Sequence, residues 1–212
     1  MSAGSTPVNG TGTEPPSTTG PGPQRAAGRR RWWPSIVVVA ILAFTVFGGY
    51  LVAAALQRPA GPPIAVAGTV AVQPLSGWEV AHTFSGDVGS GRAEGVSLTR
   101  GTGNLDVVVI DPVPGGLVEL GATFVEQVLE PQAQRLSVSS GLELVALAGG
   151  RDAARFSYVG VFSRGGSPIE GEVTVTVAGS GAGVVFDAWA PQGQLGFSLV
   201  DAHTMEDAAE IV

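Results

Sequence analysis

The chain contains no cysteine and no lysine, and only two histidines among its 212 residues. The missing thiol excludes cysteine nucleophiles, thiolate metal sites, iron–sulfur clusters and disulfides. It also excludes a lipid anchor carried on an N-terminal cysteine. Without lysine there can be no Gly-Lys-Ser/Thr phosphate loop. All 11 basic residues are arginine. With so much Ala, Gly and Val, this reads as the codon bias of a GC-rich genome. Charged residues are sparse, at 14%, and they are divided unevenly. Residues 1–58 carry 5 Arg and 1 Glu, a net +4, whereas residues 59–212 carry 6 Arg and 17 Asp or Glu, a net −11. A domain this acidic repels nucleic acid and anionic headgroups, so a nucleic-acid partner is not expected.

What is present begins with an address. Ser35–Leu56 is a run of 22 residues without a charge. As a helix it would span roughly 33 Å, against about 30 Å of hydrocarbon. Only Ser35, Thr45 and Tyr50 in it have polar side-chain groups, and backbone in lipid must satisfy itself, which a helix does. Arg29-Arg30-Arg31-Trp32-Trp33-Pro34 precedes the run. The tryptophans suit the headgroup level and the arginines stay cytoplasmic. The expectation is a single-pass cell-membrane protein with its N-terminus inside and residues 57–212 outside. The run exceeds the usual core of a cleaved signal peptide, and the region before it is long, so an uncleaved anchor is expected.

The domain plan follows. Residues 1–34 form a cytoplasmic tail with a basic end. Its first 24 residues hold 5 Gly, 5 Pro, 3 Ser and 5 Thr, so little can be buried and disorder is expected. Residues 35–56 are the transmembrane helix, 57–63 a stiff Pro-rich linker, and 64–212 one domain. A domain of this size buries close to 70% of its unfolded surface and needs no metal or disulfide.

Within that domain Ile64–Val72 and Trp78–Phe84 read as strands. Gly95–Arg100 and Leu105–Ile110 read as a hairpin around Gly101-Thr102-Gly103-Asn104. Leu117, Leu120, Phe124 and Val128 share one helical face, which predicts a helix over Leu117–Glu130, stopped by Pro131. Leu142–Ala148 reads as a further strand. Ala153–Ser163, Ile169–Val177 and Gly183–Ala190 then read as a meander, with turns at Arg164-Gly165-Gly166 and Gly179-Ser180-Gly181. In its middle strand Val173, Val175 and Val177 alternate with Glu172, Thr174 and Thr176, which predicts one buried and one wet face. A terminal helix capped by Thr204, with Glu206 and Asp207 in its first turn, closes the chain. The order predicts an α+β fold, an antiparallel sheet with helices packed on it.

The run Gly149–Tyr158, its continuation through Ile169–Val173 to Gly183–Pro191, and Pro74-Leu75-Ser76-Gly77-Trp78 resemble the PsbP-like group. That group includes PsbP, DcrB-type envelope proteins and LpqN-type proteins of the mycobacterial envelope. The resemblance covers roughly residues 64–212. It implies an α/β sandwich and a role in binding or assembly, with no shared catalytic set to carry onto these positions.

No catalytic, cofactor-binding or metal-binding residue is assigned. His82, three residues before Ser85, and His203, just before the terminal helix, lack the Gly-x-Ser-x-Gly turn of a serine hydrolase. His203 with Glu206 and Asp207 offers one histidine to a metal where zinc wants more. Asp106 and Asp111 are separated by strand rather than by a calcium loop. Gly179-x-Gly181-x-Gly183 joins two strands and lacks dinucleotide spacing. Glu170, Glu172 and Asp187 as paired carboxylates would require a cleft, and Trp189, Tyr158 and Phe156 read as core. The expected function is non-enzymatic binding of a protein or envelope component, without a cofactor. The alternative is an envelope hydrolase or small-ligand carrier using a pocket between sheet and helix. A third possibility, a sensor signalling through the helix, is weakened because the tail holds no output domain. The orientation is tested with an alkaline phosphatase, active only outside the cytoplasm, fused after Val212. Full activity is expected, and a reporter active only in the cytoplasm would overturn the placement.

Overall fold

The computed structural model describes residues 37–45, 58–113, 115–139, 141–163 and 167–212. Residues 37–45 form a helix, α1. Among the described residues no helix is long and apolar enough to cross a membrane. The rest of the expected span, like the tail, Gln57 and the Arg164-Gly165-Gly166 turn, lies outside the described residues.

From Arg58 onward five strands, a helical segment, five more strands, a helix and a last short strand follow in order, with every strand pair antiparallel. β1 (Ile64–Val66) and β2 (Val70–Val72) form a small hairpin. The continuous strand expected over Ile64–Val72 is broken there, because Ala67 and Gly68 turn with φ of 50° and 67°. β3 (Glu79–Val88), β4 (Gly91–Arg100) and β5 (Gly103–Asp111) follow as a meander. The Gly101 turn, at φ 60°, sits between β4 and β5 as its glycines suggested.

The amphipathic segment is helical as expected, in three pieces. These are α2 (Leu117–Phe124), a wider π turn over Val125–Leu129, and a 3-10 turn at Glu130–Gln132. The Gly116 backbone N–H donates to Glu119 Oε2 at 3.1 Å, which satisfies one orphan donor of the first turn.

β6 (Ala133–Val138), which was not foreseen, and β7 (Glu143–Leu147) pair one after the other with the same edge of β8 (Arg151–Phe162). β9 (Pro168–Val177) and β10 (Gly183–Pro191) complete the eight-stranded sheet. Its order is β3-β4-β5-β10-β9-β8-β6, with β7 also on β8. After α3 (Gly196–Asp207), β11 (Glu210–Ile211) adds to β2 in a separate three-stranded sheet.

Both faces of the large sheet are covered. Val96, Leu98, Val107, Val184 and Phe186 pack with Val70 and Val72 of the small sheet and with Ala202 and Met205 of α3. On the other face Val108, Ile110, Val175 and Val185 pack with Leu120, Phe124 and Leu129. The expectation of a wet face on β9 is therefore wrong. Thr174 and Thr176 have no exposed surface, because α3 and its neighbours cover them. Alternation separated the two faces correctly. It could not distinguish a polar face in water from a polar face satisfied under another element.

The terminal helix is also corrected. It begins at Gly196, and His203 lies within it, so Thr204 is no cap: its hydroxyl donates to the Val200 carbonyl at 2.8 Å. Buried Ser198, Asp201 and Glu206 interrupt the apolar period that would have marked the helix earlier.

Candidate functional site

The main concentration of ionisable chemistry lies under α3. Pairing sets it up: Arg155 of β8 stands opposite Thr174 of β9, and Ser157 opposite Glu172, so all four share the face beneath α3. From the helix, His203 and Glu206 reach down. Arg155 Nη2 is 3.1 Å from Glu206 Oε2, and its Nε donates to Thr174 Oγ1 at 3.0 Å. Thr174 Oγ1 donates in turn to Glu206 Oε2 at 3.1 Å. Arg155 Nε also lies 3.3 Å from Glu172 Oε1, which is 2.6 Å from His203 Nε2. One guanidinium thus bridges two glutamates, one of them capped by a histidine.

Solvent access grades through the cluster, from 33% for the His203 side chain and 17% for Glu172 to 1% for Glu206. The contact with His203 holds the Glu172 carboxyl below its ordinary value, against the opposing effect of burial. The same contact raises His203. Burial raises Glu206, opposed by the positive charge of His203 and Arg155.

A base held by a carboxylate is half of a hydrolytic apparatus. Among the described residues, however, no hydroxyl is hydrogen-bonded to His203, whose ring contacts Glu172. His82 cannot contribute. It sits exposed on β3, its ring 5.8 Å from that of Phe84, on the opposite face of the sheet from α3. Ser85 is an odd number of residues away and faces the other side.

The carboxylates singled out in the sequence are likewise separated. Glu170 and Glu172 face α3, where Glu170 Oε1 accepts the Leu195 N–H at 2.9 Å beside the start of the helix. Asp187 faces α2, and Asp106 and Asp111 point to opposite sides of β5. Among the described residues no group of three or more His, Asp or Glu is placed to hold a metal ion. The Gly179–Gly183 segment is a turn closed by Ala178 N–H to Ala182 O at 2.8 Å.

A second constellation, on the α2 face, was not foreseen. Asp187 stands directly opposite Asp106. The Tyr158 hydroxyl lies 3.0 and 3.3 Å from the two Asp187 oxygens, and Trp189 Nε1 donates to Asp106 Oδ2 at 2.9 Å. Gly171 makes room for this, since a Cβ there would lie 2.4 Å from the Tyr158 ring. Burial first, and Asp106 second, push Asp187 well above the usual carboxylate range. Burial and the Asp187 charge raise Tyr158. The signal in the sequence was a single acid within the otherwise apolar run Val184–Ala190.

Two recesses open among the described residues. One, of about 300 Å3, lies between the β4–β5 turn and α3, against Arg100, Gln194, Phe197 and Asp201. Arg100 forms an ion pair with Asp201, which also accepts from Trp78 Nε1 at 3.2 Å. The other, of about 320 Å3, opens beside α2 and the π turn, against Val118, Val125, Leu142 and Phe156, with Glu126 and Glu130 also lining it. Neither is lined by His82 or His203.

No protein-family model and no curated protein matches the chain. Among solved structures it is similar to the solution structure of cyanobacterial PsbP (CyanoP) from Synechocystis sp. PCC 6803. The identity is 14% over 68% of this chain and 87% of that chain, with a TM-score of 0.48.

Two pH predictions follow from the electrostatics. The His203 pKa is raised above 6.5 and that of Glu172 is lowered below 4.5. Stabilisation from His203 is therefore full below about pH 6.5 and fades as pH rises through its raised value. That from Glu172 is present above about pH 4.5 and fades as pH falls through its lowered value. Denaturant titration of His203→Gln should show its largest deficit against the wild type near pH 5.5 and a smaller one at pH 9. For Asp187 the sign follows His203 and opposes Glu172. A raised carboxyl favours the protonated form, so its contribution declines as pH climbs from about 3.8 through the raised value. Asp187→Asn should gain stability relative to the wild type between pH 4 and pH 8, and a pH-independent difference would contradict a neutral Asp187.

Proposed function

We propose that this chain is a single-pass membrane protein of the PsbP-like kind whose acidic outer domain binds a protein or envelope component and performs no catalysis. In this reading residues 1–34 are cytoplasmic, 35–56 span the membrane, 57–63 link, and 64–212 are the binding domain. Support for the anchor comes from the uncharged run behind Arg29–Trp33. Affiliation with PsbP, DcrB-type or LpqN-type proteins rests on the strand spacing and turn glycines quoted above.

The observation that carries the non-catalytic part is the pairing of Arg155, Glu172, His203 and Glu206 with one another. A catalytic cluster keeps a charge or lone pair aimed at a substrate. Here the groups hold α3 to the sheet. A second reading, a carrier of a small apolar ligand, is favoured by one feature, the recess of about 320 Å3 beside α2. It falls within the size range of small-molecule sites.

Detergent-solubilised membranes from cells expressing a tagged full chain, crosslinked before lysis, test both readings. The binding reading expects one reproducible protein or envelope component, recovered equally by His203→Gln. The carrier reading expects a small molecule in organic extracts of the purified protein, lost in Val125→Trp. Absence of both would overturn the proposal, as would hydrolysis of a generic ester that is lost in His203→Gln.

A further inference from the structure

The two edges of the large sheet are treated differently. On one side β6 and β7, of six and five residues, share the rim of β8 as two separate strands, the first ending at Val138 and the second starting at Glu143. Short, broken edge strands discourage pairing with other chains. On the other side β3 runs for ten residues, and among the described residues it pairs with β4 alone. Eight of its ten residues are exposed, and Phe84 and Val88 are half-buried. It has no proline or lysine to blunt it. Its one irregularity is a shift of register between Val80 and His82, which leaves Thr83–Val88 in regular pairing with β4. That stretch offers an outer row of backbone donors and acceptors to any strand laid beside it.

Charge selects what could lie there. Glu79 and Asp87 stand near the two ends of β3. Two domains of net −11 repel, which disfavours a second copy of this chain as the added strand. The arginines are already counted in that net charge. Arg92 pairs with Glu94 and stands opposite Asp87 in register, Arg100 pairs with Asp201 and Arg155 with two glutamates, Arg151 donates to the carbonyls of Val177 and Ile211, and Arg135 lies on β6 at the other rim.

We propose that the outer edge of β3 receives an extended, positively charged segment of a partner protein, which adds a ninth strand to the sheet. Backbone hydrogen bonds along Thr83–Val88 supply the adhesion. Arg or Lys near the ends of the segment meets Glu79 and Asp87. The proposal deepens the binding reading above and rests on it only in that the domain has a protein partner.

The test uses the full chain in detergent micelles and a labelled ten-residue peptide of alternating valine and threonine with arginine at both ends. Two controls carry glutamate at the ends, or N-methyl groups on alternate backbone nitrogens. The arginine-ended peptide should bind at least tenfold tighter than either control and weaken with added salt. Hydrogen exchange should slow at alternate residues of 83–88. The exposed double variant Glu79→Arg/Asp87→Arg should prefer the glutamate-ended peptide.

Equal binding by the N-methylated peptide would overturn the proposal, as would protection confined to the α2 recess or peptide-free dimers joined through β3. The two readings fail separately. If a partner is recovered from membranes equally by the wild type and the double variant, the edge proposal falls and the binding reading stands. If peptides behave as expected but no partner is recovered, the binding reading falls alone.

Discussion

The carboxylate of Glu206, enclosed between α3 and the sheet, sets the terms for one whole side of the domain. A charge removed from water needs partners, and removing one partner of such a pair costs about 3–5 kcal/mol. Arg155 and Thr174 supply those partners. Meeting that need fixes where α3 lies. Its start is met by Glu170, its middle by Trp78 and Arg100 acting on Asp201, and its end by Arg155 acting on Glu206. Ala202 and Met205 fill the apolar space between these anchors. β11 follows directly and joins β2, while Arg151 donates to the Ile211 carbonyl at 2.8 Å. The last residues of the chain are thereby bound to some of the first residues of the domain.

The opposite face follows another rule. There the buried acid, Asp187, has a tyrosine hydroxyl and a second acid beside it and, among the described residues, no cation in its hydrogen-bond set. The neutral form is favoured because burial penalises the charge and Asp106 repels it. Gly171 beneath Tyr158, Gly95 beneath Phe84 and Gly160 beside Phe162 are positions where a side chain would collide with a ring. Glycine weakens a strand by itself, but here the aromatic laid across it restores packing. The two faces thus combine opposite solutions to buried polarity: a bridged cation–anion network under α3, and toward α2 an acid, Asp187, whose neutral form is favoured.

These solutions pair the buried polar groups among the described residues with one another. The surface of the described residues also offers backbone at the β3 edge, two recesses and an acidic exterior. In the proposed binding reading, these are the features a partner chain would meet. The fold supports this arrangement because a broad antiparallel sheet covered on both faces leaves its rims as the places where main-chain groups can meet a partner.

Much of the fold was legible from residue pattern alone. The hairpin around Gly101, the amphipathic helix from Leu117 and the meander ending at Pro191 all follow from local periodicity and turn chemistry. Local rules also determined the division of charge about Arg58 and the exclusion of thiol chemistry. Only the tertiary structure decided that the polar face of β9 is buried, that His203 meets Glu172 and not a nucleophile, and that Asp187 stands against Asp106. A period of two assigns residues to faces, but the covering of each face depends on elements far along the chain: Glu206 lies 32 positions from Thr174, and Asp201 lies 123 from Trp78. The short strands β6 and β11 and the true start of α3 escaped for the same reason. Their residues are stabilised by partners distant in sequence, and no local pattern records a partner that arrives from elsewhere in the chain.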